Sequence, residues 1–383
     1  MKRVLFIGHD ANRAGAPMIL LHFLQWLKEN NSQFKSDLLL FQSGELEAEY
    51  RKAVDVYVLP EGKTKNPFKR GARFLKKKFK LAPGLPKRTP LVKNYDVVLG
   101  NTVISLEYLK SYKQKGCRTI CWLHELEFAV NTFSKEKFIA LADYVDCFLV
   151  VSRAVENMLR QFGITKEIHL VYGFSKTGAA QADEKEIEAV KNELGIPPDA
   201  FIVGGSGTVE WRKGTDVFLQ VARRLSAVHN NFYFVWVGGK SPHSNVEYNL
   251  IKHDFERLNL SERVIFTGLQ ENPRKFFEAM DLFALTSRED PFPLVCLEAA
   301  ALGKPIICFE NAGGAPELVE NDCGFVVPYL DTEAFAGKIL ALYEDEEARK
   351  KFGRRAAQKV RERHNIETSA PKILEVIKKC GNL

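Results

Sequence analysis

The chain has no CxxC pair, no apolar run of membrane-spanning length and no GxGxxG turn after its first strand-like segment. Seven scattered cysteines (Cys117, Cys121, Cys147, Cys296, Cys308, Cys323 and Cys380), most inside apolar runs, exclude a cysteine metal framework. They read as reduced core thiols of a cytosolic protein. A membrane helix needs about 20 apolar residues, and no stretch approaches that. The opening MKRVLFIGHD is basic, but its apolar run is too short for a signal peptide. GHDANRAG follows the first run where a dinucleotide fingerprint would stand, which argues against a nicotinamide-dependent dehydrogenase. No acidic cluster has the look of a metal site for a nucleotide diphosphate. Residues 62–93 contain no acid beside twelve Lys/Arg, so this segment carries +12 and the rest of the +7 chain sums to −5. Basic character therefore belongs to one local feature, and nucleic-acid binding by the whole protein is not implied.

What is present is alternation. At 383 residues two domains are the default, and 45% hydrophobic with 27% charged residues is a globular composition. Strand-like runs at 4–8, 37–41, 54–59, 97–101, 119–124, 147–152 and 169–172 are separated by helical patterns such as residues 18–28 and 153–162. After a small-residue and acidic stretch at 173–190, a second series follows at 201–207, 232–238, 264–268, 282–287, 305–309 and 324–328. Helices fill the chain from Thr332 on. This is α/β construction in two doubly wound Rossmann-like domains, with a cleft expected between them and ligands outside the carboxyl ends of strands.

At one such end stands SREDPFPLVCLEAAALGKP, residues 287–305. Pro293 can start a helix, Leu302 would end it, Gly303 suits the position after the end and Pro305 prevents continuation. Free N–H groups at the front favour a phosphate. Asp290 precedes the helix, and Glu298, one and a half turns in, can accept two hydrogen bonds from a ribose diol. The plainer alternative is a capping aid and a solvated helix residue. GTVEWRKGTDVFL, residues 207–219, places Arg212 and Lys213 before a helix opening near Thr215. There two cations would stabilise a diphosphate leaving group, unless they are a basic surface turn.

With these residues in hand, the second half resembles the retaining nucleotide-sugar glycosyltransferases of the GT4 group (glycosyl transferases group 1), which have the GT-B fold. The family's Glu-x7-Glu signature appears as Asp290, PFPLVCL, Glu298, AAALGKP. WRKG, VGG, IFTG, GGAPELV and GFVVP fall in family order over residues 200–330. In the first half, NRAGAPMIL resembles the glycine loop after strand one, CWLHELE places His124 past a strand, and VVSRAVENMLRQFGI resembles the segment that follows.

The resemblance implies domains over 1–175 (acceptor binding) and 176–365 (donor binding), with a helix at 366–383 packing back on the first. Glu298 would hold the ribose, Lys213 and Arg212 the diphosphate, and Asp290 a hydroxyl of the donor sugar. His124 would border that sugar and Gly15 would approach donor phosphates or acceptor. Backbone N–H groups of Phe292, Leu294 and Val295 would line the pocket, with Leu269 and Gln270 passing the base. Asp290 is one methylene shorter than the usual Glu, Pro293 stands where Gly is frequent, and Thr208 replaces a phosphate-contacting arginine. The implied activity is metal-independent, cofactor-free transfer from a UDP- or GDP-sugar to a glycan or lipid-linked acceptor. The alternative is a catalytically weakened sugar-nucleotide-binding protein.

NPFKRGARFLKKKFK, residues 66–80, spaces Phe68, Ala72, Leu75 and Phe79 as a helical stripe flanked by Lys69, Arg70, Arg73, Lys76, Lys77 and Lys78. Contact with an anionic membrane or acidic acceptor, at the cytoplasmic face, is one reading. A solvated helix packed on its own domain is a second, and nucleic acid, supported only by the charge and the phenylalanines, ranks last.

Overall fold

Apolar runs without alternation belong to strands covered on both faces, and every run noted above overlaps a parallel strand. The computed structural model describes residues 1–30, 33–59, 94–175, 183–240 and 246–382. The basic stretch 66–80 lies outside them, and with it Lys69, Arg70, Arg73, Lys76, Lys77 and Lys78. The chain divides into one unit of Met1–Gly173 with the segment from Ile366 on, and another of Phe174–Asn365. Ser175 is on the second unit's side, its N–H donating to the His364 carbonyl at 3.0 Å. No helix among the described residues is long and apolar enough to cross a membrane.

The first unit holds β1 (Lys2–Gly8), β2 (Phe34–Leu40), β3 (Asp55–Val58), β4 (Val97–Asn101), β5 (Arg118–Leu123), β6 (Cys147–Val150) and β7 (Glu167–Leu170). Their order is β3-β2-β1-β4-β5-β6-β7, parallel throughout. The helix Gly15–Asn30 lays Leu20, Phe23, Leu24 and Leu27 into the core. There the Phe23 ring meets Phe6 and Trp122 edge-on, each at 6.0 Å. Burying a side chain of this size contributes about 2 kcal/mol or more. The last helix, Ile366–Gly381, packs on Gly15–Asn30, and Trp26 Nε1 donates to Glu367 at 3.1 Å. β2 begins at Phe34, earlier than the apolar run suggests. Asp37 sits fully buried inside it because Tyr95 donates to its carboxylate at 2.8 Å and Arg3 pairs with it.

The second unit holds β8 (Phe201–Ser206), β9 (Phe232–Val237), β10 (Val264–Gly268), β11 (Leu282–Leu285), β12 (Ile306–Phe309) and β13 (Gly324–Val327). Their order is β10-β9-β8-β11-β12-β13, again parallel. Phe218, from the helix Thr215–Ser226, packs edge-on against Trp236 at 5.2 Å and Phe234 at 5.9 Å. This anchors the helix start directly behind Lys213. The helix Glu184–Glu193 opens with a reciprocal cap between Asp183 and Glu186.

Candidate functional site

β8 and β11 are neighbours from which the chain runs to opposite edges of the sheet. Their carboxyl ends therefore flank the switch point where an open parallel sheet takes its ligand. The loop 207–214 after β8 and the loop 286–293 after β11 are joined into one rim. Arg288 makes a bidentate pair with Asp216, 2.7 Å to each oxygen, and donates to the Trp211 carbonyl at 2.9 Å. In return the Arg212 carbonyl accepts from the Arg288 N–H at 2.8 Å. The loops approach so closely at Gly214 that a Cβ would stand 1.9 Å from the Thr286 oxygen, and φ there is +66°. Only glycine meets both conditions.

Inside this rim Lys213 Nζ lies 2.5 Å from Asp290 Oδ2, with side-chain exposures of 16% and 7%. Asp290 is held from behind: its N–H donates to Ala312 at 2.7 Å and its carbonyl accepts from Gly314 at 3.0 Å. Gly313, at φ +124°, leaves no room for a Cβ beside the Asp290 carbonyl. The two residues assigned separate roles from the sequence are thus direct partners. Arg212 behaves differently. Its guanidinium donates to the Glu289 carbonyl at 3.0 Å and to Glu210 at 2.9 Å, so it braces the loop while Lys213 supplies the charge beside Asp290.

The helix Leu294–Ala301 begins after Pro293 in extended backbone, and no side chain caps it. The Cys296 N–H donates to the Pro293 carbonyl at 3.1 Å, while the Leu294 and Val295 N–H groups have no intrahelical acceptor and form the positive end. Phe292 is buried with its ring 5.3 Å from that of His364, which fixes the approach to the helix. Leu302 closes the helix and Gly303 follows at φ +74°. Glu298 is exposed and has no hydrogen-bond or ion-pair partner among the described residues. Desolvation by surrounding protein pushes its carboxyl up to about 7. Because water still reaches the side chain, the charged form keeps part of its hydration and remains an acceptor near neutral pH. Thr208 is half-buried at the loop entrance. After β10, Leu269 is 85% exposed, while Gln270 turns its amide back to the Thr267 carbonyl at 2.6 Å.

In the first unit the order switches between β1 and β4, and β5 delivers His124 beside them. His124 Nε2 is 2.8 Å from Asn101 Oδ1, and the Asn101 amide donates to the Ala16 carbonyl at 3.1 Å. One buried asparagine therefore ties His124 to the start of the Gly15–Asn30 helix. Burial and the nearby His9 push His124 down to about 3, leaving a neutral imidazole that donates to Asn101 through Nε2. Glu125 accepts from the His124 N–H at 3.0 Å and the Val103 N–H at 3.2 Å. Burial nevertheless pushes its carboxyl up to about 7. Gly15 is exposed, and a methyl group there would meet nothing within 4 Å, so packing does not demand glycine. Sequence spacing does not single out Asn101, Glu125, Asp216 or Arg288. Glu125, Asp216 and Arg288 carry one local signal, nearness in sequence to His124, Lys213 and Asp290, and Asn101 carries none.

Residues 186–359 match the family model of glycosyl transferases group 1. The lipopolysaccharide core biosynthesis glycosyltransferase LpsE of Rhizobium meliloti is 26% identical over 210 residues, 55% of this chain and 57% of that protein. The alpha-galactosylglucosyldiacylglycerol synthase of Streptococcus pneumoniae is 34% identical over 228 residues, 55% of this chain and 59% of that one. These matches span a little over half of each relative's length. Anabaena Alr3699/HepE, solved in complex with UDP and glucose, superposes with a TM-score of 0.81 at 20% identity, covering 99% of this chain and all of that one. That likeness is one of fold, and the fold is GT-B. Residues 186–359, a little under half of the chain, thus carry a likeness to the glycosyl transferases group 1 family.

Proposed function

We propose that the protein transfers a sugar from a nucleotide diphosphate sugar, UDP- or GDP-linked, to a saccharide or lipid-linked acceptor, with retention of configuration and without a metal. The observation that carries this reading is the Lys213–Asp290 pair at the switch point, set in front of an uncapped helix start. A diphosphate at that helix start would take N–H donors and share the Lys213 charge, while Asp290 is freed to accept a sugar hydroxyl. The bond from the anomeric carbon to the diphosphate breaks, a bond to the acceptor oxygen forms on the same face, and the acceptor proton leaves on the diphosphate. HepE was solved in complex with UDP-glucose, which favours a UDP-hexose donor here. The names of the relatives LpsE and the diacylglycerol synthase favour a glycan or lipid acceptor.

Glu298 is assigned to the ribose. Titrating UDP, GDP and ADP calorimetrically is expected to show one nucleotide binding, weakened in Glu298→Ala by about 1–3 kcal/mol, the scale of lost hydrogen bonds. Wild-type affinity is expected to fall as pH drops through about 7, because the protonated carboxyl loses acceptor strength. Equal binding by the variant, or none by the wild type, removes the assignment.

Charge on the leaving group is met by Lys213 and the helix dipole, so turnover is expected to be unchanged in chelator. Activity lost with EDTA and restored by Mn²⁺ or Mg²⁺ contradicts metal independence.

The +12 segment at 62–93 suits an anionic membrane or an acidic acceptor. Flotation is expected with anionic liposomes and not with neutral ones. Equal behaviour with both counts against it.

A further inference from the structure

Two thiols distant in sequence meet in the first unit. Cys147 opens β6 and is 4% exposed. Cys380 lies in the last turn of the helix Ile366–Gly381 and is partly exposed, whereas the other six cysteines are buried. Their thiols lie within interaction range of each other. Neighbouring contacts bring them together without help from sulfur. Lys379 Nζ, one residue before Cys380, is 2.6 Å from Glu167 Oε1. Glu167 is the β7 residue paired directly with Cys147. On the other side of Cys380, the Gly381 carbonyl accepts from Lys2 at 3.3 Å.

The pair is chemically unequal. Cys147 lowers the Cys380 thiol below its ordinary value, against burial and Asp146, with Arg118 and Lys113 adding to the effect. Cys147 itself is pushed up, by Cys380 first and burial second. A partly exposed thiol backed by a buried one is the arrangement of an attacking and a resolving cysteine.

We propose that Cys147 and Cys380 form a reversible, peroxide-responsive disulfide that fastens the last helix to β6. In the first step the Cys380 thiolate attacks a peroxide oxygen, the O–O bond breaks, hydroxide leaves and a sulfenic acid forms. In the second, Cys147 attacks that sulfur, the S–O bond breaks and water leaves with the Cys147 proton. Two thiols lose two electrons, and hydrogen peroxide is reduced to two waters. A dithiol reductant reverses the cross-link by thiol–disulfide exchange. Closure requires Cα atoms about 4.4–6.8 Å apart.

The test treats the full chain with hydrogen peroxide, alkylates it under denaturing conditions and maps its peptides without reductant. A linked Cys147–Cys380 peptide is expected, with alkylatable thiols falling from seven to five and returning to seven after dithiothreitol. The link is expected to be absent in Cys380→Ser, whose site is at a helix end and partly exposed. In Cys147→Ala the reaction is expected to stop at a sulfenic acid on Cys380 that dimedone labels. Should that buried substitution prevent folding, the wild-type and Cys380→Ser maps decide. Seven free thiols after treatment, or Cys380 oxidised alone to sulfinic acid while Cys147 stays free, overturns the proposal.

Discussion

Replacing Lys213 with alanine is expected to slow donor turnover by about 100- to 1000-fold, the cost of removing one preorganised group that stabilises developing charge. The Lys213 side chain is 16% exposed, its ammonium 2.5 Å from Asp290 and backed by a loop with almost no freedom at Gly214. It is therefore in place before a substrate arrives. The same substitution leaves Asp290, 5% exposed, without its counter-ion, so a stability loss accompanies the kinetic one. Combining Lys213→Met with Asp290→Asn separates the two, since it removes both charges. Thermal unfolding is expected to recover toward wild type in the double variant while turnover does not. Recovery of both would make the pair a structural contact only.

Lys359→Ala is expected to cost about 3 kcal/mol of stability, although it lies in a helix whose sequence, EEARKKFGRRAAQKVRER, looks solvated. Lys359 is fully buried, and its ammonium reaches the Leu318 carbonyl at 3.1 Å, Glu320 at 2.8 Å and Asp322. Leu318 lies in the helix Ala315–Val319, and the two acids lie in the turn between it and β13, where Glu320 takes φ +48°. Arg355 and Arg363 reach the same acids from outside, but at 30% and 49% exposure water screens both pairs and each contributes little. Burial alone would raise Asp322, yet the Lys359 and Arg355 hydrogen bonds outweigh it and hold the carboxyl at about 2. Glu320 is lowered by Lys359 first, and Lys359 is raised because Asp322 and Glu320 overcome its own desolvation. Depressed carboxylates stabilise above their unfolded values of about 4 and lose this as pH falls toward the folded value. A raised lysine stabilises below about 10 and loses this above. The stability difference between wild type and Lys359→Ala, from denaturant titration, is thus expected to be flat between those limits and to shrink on acidification. A difference under about 0.5 kcal/mol, or one that grows in acid, contradicts the network's role.

What the sequence makes legible is local. The strands show because parallel strands buried on both faces are written as apolar runs. The helix Leu294–Ala301 shows because Pro293, Leu302 and Gly303 mark its ends. Pairings across long separations are not written in any period. Nothing near Arg288 states that its guanidinium lies on Asp216, and Arg212 and Lys213, adjacent in sequence, point to different partners. Asp37 and Lys359 are hidden for the same reason: a charged residue in a strand or helix reads as solvated until its buried partners are known. Asn101 and Glu125 are similar, since their work is to hold His124 and the ends of neighbouring strands.

The most direct measurement is nucleoside diphosphate release from UDP-, GDP- and ADP-sugars by the wild type and by Lys213→Ala. The expected result is release from one donor class by the wild type, slowed about 100-fold or more in the variant. No release from any donor, or equal release by both proteins, would contradict a transfer site built on Lys213 and Asp290. Nucleotide binding without release would instead favour a sugar-nucleotide-binding protein.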